Sequence, residues 1–77
     1  MTIPTINLAR TGANIVKLRK DAGLSVRDIQ AVFGCSLQAI YKWEAGTALP
    51  SVDNLLILAT LLHVRIDDIL VVDCTVA

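Results

Sequence analysis

Apolar residues along this chain fall into short clusters at helical spacing, separated by glycines and small polar residues. Ile15, Leu18 and Ala22 recur three to four residues apart. That spacing predicts a first helix from near Thr11 to Ala22, buried along this stripe. Gly23 ends it, and Leu24 folds back as an apolar contact beyond the cap. Ser25, with Asp28 three residues on, starts a second helix whose stripe is Ile29, Val32 and Phe33. Gly34 suits the left-handed position that terminates it, and Ser36 opens a third helix, Leu37 to Ala45, ending at Gly46. After a loop containing Pro50, Ser51 caps a fourth helix, Val52 to about His63, with Asp53 in its first turn. Its core positions are Leu55, Leu58, Ala59 and Leu62. A fifth helix begins near Arg65 and contributes Ile66, Ile69 and Leu70, with Asp67 and Asp68 as carboxylates at its start.

The ends of the chain follow a different pattern. Ile3, Ile6 and Leu8 alternate loosely, and Pro4 argues against an early helix. Two readings are open there: an extended arm whose tethering buries Ile6 and Leu8, or an unstructured tail. The last residues, LVVDCTVA, are β-prone and suited to pairing with that arm or with a partner chain. The fourth helix also carries Leu56, Ile57 and Leu61 off its core stripe. Two readings, not mutually exclusive, fit a helix this apolar: a central, surrounded core element, and the owner of a dimer-forming face. Leu56, Ile57 and Leu61, with Val71 and Val72, are the candidate dimer surface. The resulting organisation is an N-terminal arm at 1–10, one helical domain at 11–71 and a C-terminal tail at 72–77.

Composition narrows the function classes. At 77 residues and 55% hydrophobic, the chain is one small domain with a marginal core. It lacks the run of about 18 apolar residues that a membrane span needs. Its first ten residues have no basic head followed by an apolar block, so a cytoplasmic location is expected. Cys35, Cys74 and His63 are too few and too scattered for a metal centre, and the thiols read as ordinary and reduced. No nucleophile–base pair and no Gly-rich phosphate loop is visible, so neither an enzyme nor a cofactor is expected. Net charge is zero, yet unevenly spread. Residues 1–45 hold six cations (Arg10, Lys17, Arg19, Lys20, Arg27, Lys42) against three carboxylates, a net +3. Residues 46–77 hold Arg65 against four aspartates, a net −3. Polarity of this kind orients a protein on a polyanion without net positive charge.

The second and third helices, joined by a tight turn at 25–46, form a helix-turn-helix, an arrangement that commonly sets its second helix in the DNA major groove. With LRKDAGLS at 18–25, FGCS at 33–36, IYKWEAG at 40–46, LPSVDNLLILATLLHV at 49–64 and IDDIL at 66–70, the chain resembles the Cro and phage-repressor (XRE-like) helix-turn-helix family. The resemblance implies an all-α, five-helix, lambda-repressor-like DNA-binding domain with short extensions. It also implies that Glu44 pairs with Arg19 to tie the third helix to the first, and that Ile40 and Trp43 pack inward. Val26 stands where the family often has a phosphate-gripping Gln, Gln30 where it often has a small Ala, Leu37 at a position that is frequently polar, and Tyr41 where a smaller residue is usual.

If the N-terminal part of the third helix (about 36–45) enters the groove, Ser36, Leu37, Gln38, Tyr41 and Lys42 are the exposed contact candidates. Gln38 is the best base reader, because its amide suits the bidentate contact to adenine. Leu37 offers an apolar contact to a thymine methyl. Tyr41, Lys42, Ser36 and Arg27 suit phosphate. The expected function is a sequence-specific regulator of transcription, a repressor, binding double-stranded DNA as a homodimer without a small-molecule ligand. The competing expectation is a protein-interaction module, or an antitoxin-like component, that keeps the fold with weak or no DNA binding.

Overall fold

The computed structural model describes residues 1–76. Strand β1 (Thr2–Ile6) leads into helix α1 (Leu8–Asp21), followed by α2 (Val26–Phe33), α3 (Leu37–Ala45), α4 (Val52–Leu62), α5 (Ile66–Ile69) and strand β2 (Val72–Val76). The fold is the expected five-helix, lambda-repressor-like arrangement, with extensions that form a short two-stranded sheet.

The helices begin where small oxygen-bearing side chains replace missing backbone partners. Ser25 accepts from the Asp28 N–H at 3.1 Å, and the Ser25 N–H donates to the Asp28 carboxylate at 2.7 Å, a complete capping box. Ser36 and Ser51 accept from Ala39 N–H and Asn54 N–H, each at 3.2 Å. Helix α1 starts at Leu8, three residues before the expected Thr11, because Asn7 caps it by accepting the Arg10 N–H at 2.9 Å. Thr11 is instead a buried residue of the second turn. Its hydroxyl accepts the Val71 N–H at 2.9 Å and donates to the Val71 carbonyl at 3.3 Å, closing the domain where β2 begins. Asn14, one turn on, donates to the carbonyls of Asp68 and Ile69 at 2.7 and 2.9 Å, satisfying the end of the four-residue helix α5.

The core is aliphatic with one indole: Ile15, Ile29, Ile40, Trp43, Leu55, Leu58, Ala59, Leu62 and Ile69. Phe33 meets Trp43 edge-on, ring centroids 5.5 Å apart. Two stripe residues depart from expectation. Ala22 is exposed because α1 ends at Asp21 and turns away. Val32 is 54% exposed because α2 enters the core through Ile29 and Phe33. Helix α4 is buried along its expected stripe, but Leu56 and Ile57 stay open to solvent. The reading of α4 as a surrounded helix therefore fails. Leu56, Ile57, Thr60 and Leu61 join Val32 in an open apolar groove between α4 and α2.

The N-terminal arm is neither an unstructured tail nor tucked against the helices. It pairs antiparallel with β2 in the register Thr2–Val76 through Ile6–Val72. Every position of both strands is exposed, including Ile6, and Leu8 at the start of α1 is 40% exposed. The molecule measures 42 × 23 × 20 Å. Five-residue strands, about 17 Å long, account for the elongation as a ribbon beyond the helical body.

Helices α1 and α3 cross with backbone against backbone. A Cβ on Gly12 would lie 2.6 Å from the carbonyl oxygens of Trp43 and Glu44 and 2.9 Å from the Gly46 nitrogen. A Cβ on Gly46 would lie 2.6 Å from Ala9 Cα, and Gly46 also holds φ +76°. Neither obstacle is a movable side chain, so the helices must separate to admit a methyl group. Gly12→Ala is expected to lower stability by about 3 kcal/mol, at the upper end of overpacking costs. A parallel shift of the urea midpoint with unchanged slope would establish this.

Candidate nucleic-acid interface

The turn between α2 and α3 is three residues long. Gly34 closes α2 in the left-handed region at φ +65°, its N–H donating to the Gln30 carbonyl at 2.8 Å, and Ser36 starts α3. Helix α3 then divides into two faces. Ile40 and Trp43 point into the core, fully or almost fully buried. Gln38, Tyr41, Lys42 and Ala45 point outward and, with Thr47, line a shallow depression. Thr47 continues this surface past the helix end, its hydroxyl donating to the Lys42 carbonyl at 3.2 Å.

The expected contact residues are not equally available. Ser36, Gln38, Tyr41 and Lys42 are exposed, as is Arg27 at the second position of α2. Leu37, the first residue of α3 after the three-residue turn, is half-buried, contrary to its expected exposure. Val26, where a phosphate-gripping side chain was absent, is packed against the core. Among the described residues, Arg27, Lys42, Lys17 and Lys20 form no ion pair. Arg10 lies 3.7 Å from Asp73, which places its charge at the base of the ribbon.

Behind this face, α3 is tied to α1. Arg19 Nε donates to Glu44 Oε2 at 2.8 Å, and its second terminal nitrogen donates to Oε1 at 3.3 Å. The remaining terminal nitrogen donates to the Leu24 carbonyl at 3.0 Å. Both side chains are nearly nine-tenths buried, 13% and 10% exposed. The fork geometry restricts rotation of α3 about its axis as well as its distance from α1. Sequence reasoning missed the Gly12–Gly46 contact that accompanies this pair. A glycine within an otherwise helical pattern was the available signal.

The sequence pattern of the helix-turn-helix family matches residues 15–69, most of the chain. The chain belongs to the XRE/Cro-type helix-turn-helix family. Members are DNA-binding transcription regulators, and the face described above belongs to the second helix of the motif. Among solved structures, this XRE/Cro-type chain is similar to the restriction-modification controller protein C.AhdI from Aeromonas hydrophila. The identity is 27% over 80% of this chain and 94% of that one, with a TM-score of 0.72. No functionally curated protein matches the sequence significantly. Among the described residues, no helix is long and apolar enough to cross a membrane.

Two outcomes follow for the motif. Glu44→Ala leaves a largely buried guanidinium without its partner and is expected to cost about 3 kcal/mol in urea denaturation. An Arg19→Met/Glu44→Leu double variant should recover most of that loss. The Asp28 carboxyl is held below its ordinary value by the hydrogen bond from the Ser25 backbone N–H and then by the Ser25 hydroxyl, against slight desolvation. Its stabilisation is therefore present in full above the ordinary aspartate range and is lost as pH falls through the lowered value. The stability gap between wild type and Asp28→Ala should be open at about pH 6 and narrow as the solution is acidified below the ordinary aspartate range, compared by urea denaturation at each pH.

Proposed function

We propose that this protein is a transcriptional repressor that reads double-stranded DNA in the major groove with α3, as a homodimer in the cytoplasm. The observation that carries the reading is the two-faced α3. Gln38, Tyr41 and Lys42 are free on its outer side, while Ile40, Trp43 and the Arg19–Glu44 pair hold its inner side. Gln38 reads adenine through its amide. Lys42 and Tyr41 on the same face, with Ser36 and Arg27 at the two helix starts, bind phosphate and set the register. Leu37 offers only part of its side chain to a thymine methyl. Repression is the sense assigned because a small domain seated on an operator excludes polymerase without a further contact. Two copies are needed because one carries few free cations, and a twofold pair spans half-sites about 34 Å apart. The similarity to a restriction-modification controller protein supports a regulatory role.

A second reading rests on the groove of Val32, Leu56, Ile57, Thr60 and Leu61, an apolar surface suited to a protein partner. In that reading the fold serves an antitoxin-like or adaptor role.

Selection from random duplexes followed by sequencing separates the two. The expected result is an enriched, near-palindromic site whose affinity falls steeply with salt. Lys42→Ala should weaken binding to all sequences and make the salt slope shallower by about one per subunit. Gln38→Ala should lose about 1–3 kcal/mol of discrimination at one position per half-site. No enrichment by the folded protein would overturn the DNA reading and leave the groove on α4 as the functional surface.

A further inference from the structure

The β1–β2 ribbon has two edges that differ chemically. Asn7 N–H donates to the Val71 carbonyl at 2.8 Å. Continuing this alternation along the register makes Thr5–Asp73 and Ile3–Thr75 the hydrogen-bonded pairs. Thr2, Pro4 and Ile6 on β1, and Val72, Cys74 and Val76 on β2, therefore direct their backbone groups outward. The β1 edge is blunted at its centre by Pro4, which has no N–H. The β2 edge has no proline and a full set of donors and acceptors. Asp73 is the only charged residue of the strand, and its carboxylate is engaged by Asn7 Nδ2 at 3.0 Å and by Arg10. The pairing also segregates the side chains. Pro4, Ile6, Val72, Cys74 and Val76 share one face with Thr2, while Ile3, Thr5, Asp73 and Thr75 share the other. A lone two-stranded ribbon is marginal in water, and three or more strands make such a sheet stable.

We propose that the outer edge of β2 pairs with the same edge of a second copy of this chain, antiparallel about a twofold axis at Cys74. The product is a four-stranded sheet in the order β1–β2–β2–β1. The centre is chosen by chemistry. With the axis at Cys74, Val72 faces Val76 of the partner subunit, Asp73 faces Thr75 of the partner subunit, and the two Cys74 residues face each other. Each outward pair then exchanges two backbone hydrogen bonds. Moving the axis to Asp73 sets two carboxylates opposite one another, which opposes pairing. The apolar face runs unbroken across the junction. Antiparallel pairing leaves one helical body at each end of the sheet, the disposition that two half-sites require. The ribbon lies outside residues 15–69, so this junction is an addition to the family's matched region. The inference deepens the homodimer part of the proposed function by naming where the copies join.

The native thiols provide the test. Cys74 is exposed and free, Cys35 is partly covered, and across a hydrogen-bonded pair the Cα atoms stand about 5.5 Å apart, within disulfide range. Mild diamide oxidation of the full chain without DNA should give a reducible dimer from wild type and Cys35→Ser, and none from Cys74→Ser. Cys74→Pro removes the central outward N–H and leaves the β1–β2 ladder intact. It should sediment as a monomer at tens of micromolar, where wild type sediments as a dimer, with equal helical circular dichroism. A monomeric wild type, a dimer whose Cys74 residues do not link, or a dimeric Cys74→Pro would each overturn the proposal. Those results leave the DNA reading intact, because duplex selection is scored separately. A wild type that selects a palindrome without a Cys74 link joins its copies elsewhere.

Discussion

The crossing of α1 and α3 is the contact on which the rest of the molecule depends. Gly12 and Gly46 let two backbones approach to a distance that excludes even a methyl group. That approach sets Arg19, about two turns along α1 from Gly12, in a two-point ion pair with Glu44. The glycines define the separation, and the fork of guanidinium and carboxylate defines the rotation. With both constraints in place, Ile40 and Trp43 fill the core and Gln38, Tyr41 and Lys42 point outward together. A rotation of α3 by one residue, about 100°, would bury a polar side chain and expose the indole.

The same helix α1 organises the opposite side of the molecule through polar contacts. Asn7, Thr11 and Asn14 lie at successive turns and hold Asp73, Val71 and the end of α5. Short helices such as α5 cannot sustain themselves by their own hydrogen bonds. Here the last carbonyls of α5 are satisfied by Asn14, and Ile69 is anchored in the core. The chain ends are thus brought together by side chains of one helix, and the ribbon forms as a consequence of that closure.

The high apolar content of the chain is only partly used by the core. Among the described residues nine buried hydrophobic ones form it, and much of the surplus is gathered outside in two places. One is the groove between α2 and α4, and the other is the apolar face of the ribbon. In a chain this small, exposed apolar surface of that extent detracts from solubility and signals contact with other molecules. Of the cations that form no ion pair on the basic half, Arg27 and Lys42 belong to the motif and Lys17 and Lys20 to α1, whereas Arg10 and Arg19 are engaged in internal pairs.

The limits of four helices, the capping box at Ser25–Asp28 and the two-faced character of α3 were legible in the sequence. Each depends on residues within one or two turns of each other, where spacing and small oxygen-bearing side chains are sufficient signals. The start of α1 at Asn7 was within reach of the same rules, but Pro4 and the apolar alternation around it obscured it. What tertiary structure alone decided concerns residues far apart in the chain. Periodicity marked Val32 and Ala22 as buried, yet burial depends on which neighbours reach them, and none covers them. The surplus apolar side of α4 stayed open for the same reason. The pairing of Thr2–Ile6 with Val72–Val76 was one of two readings for the tail, and it was settled by Thr11 and Asn7, whose partners lie about sixty residues away. The role of Gly12 likewise required the path of α3, because a glycine's missing side chain acquires meaning only from what occupies that space.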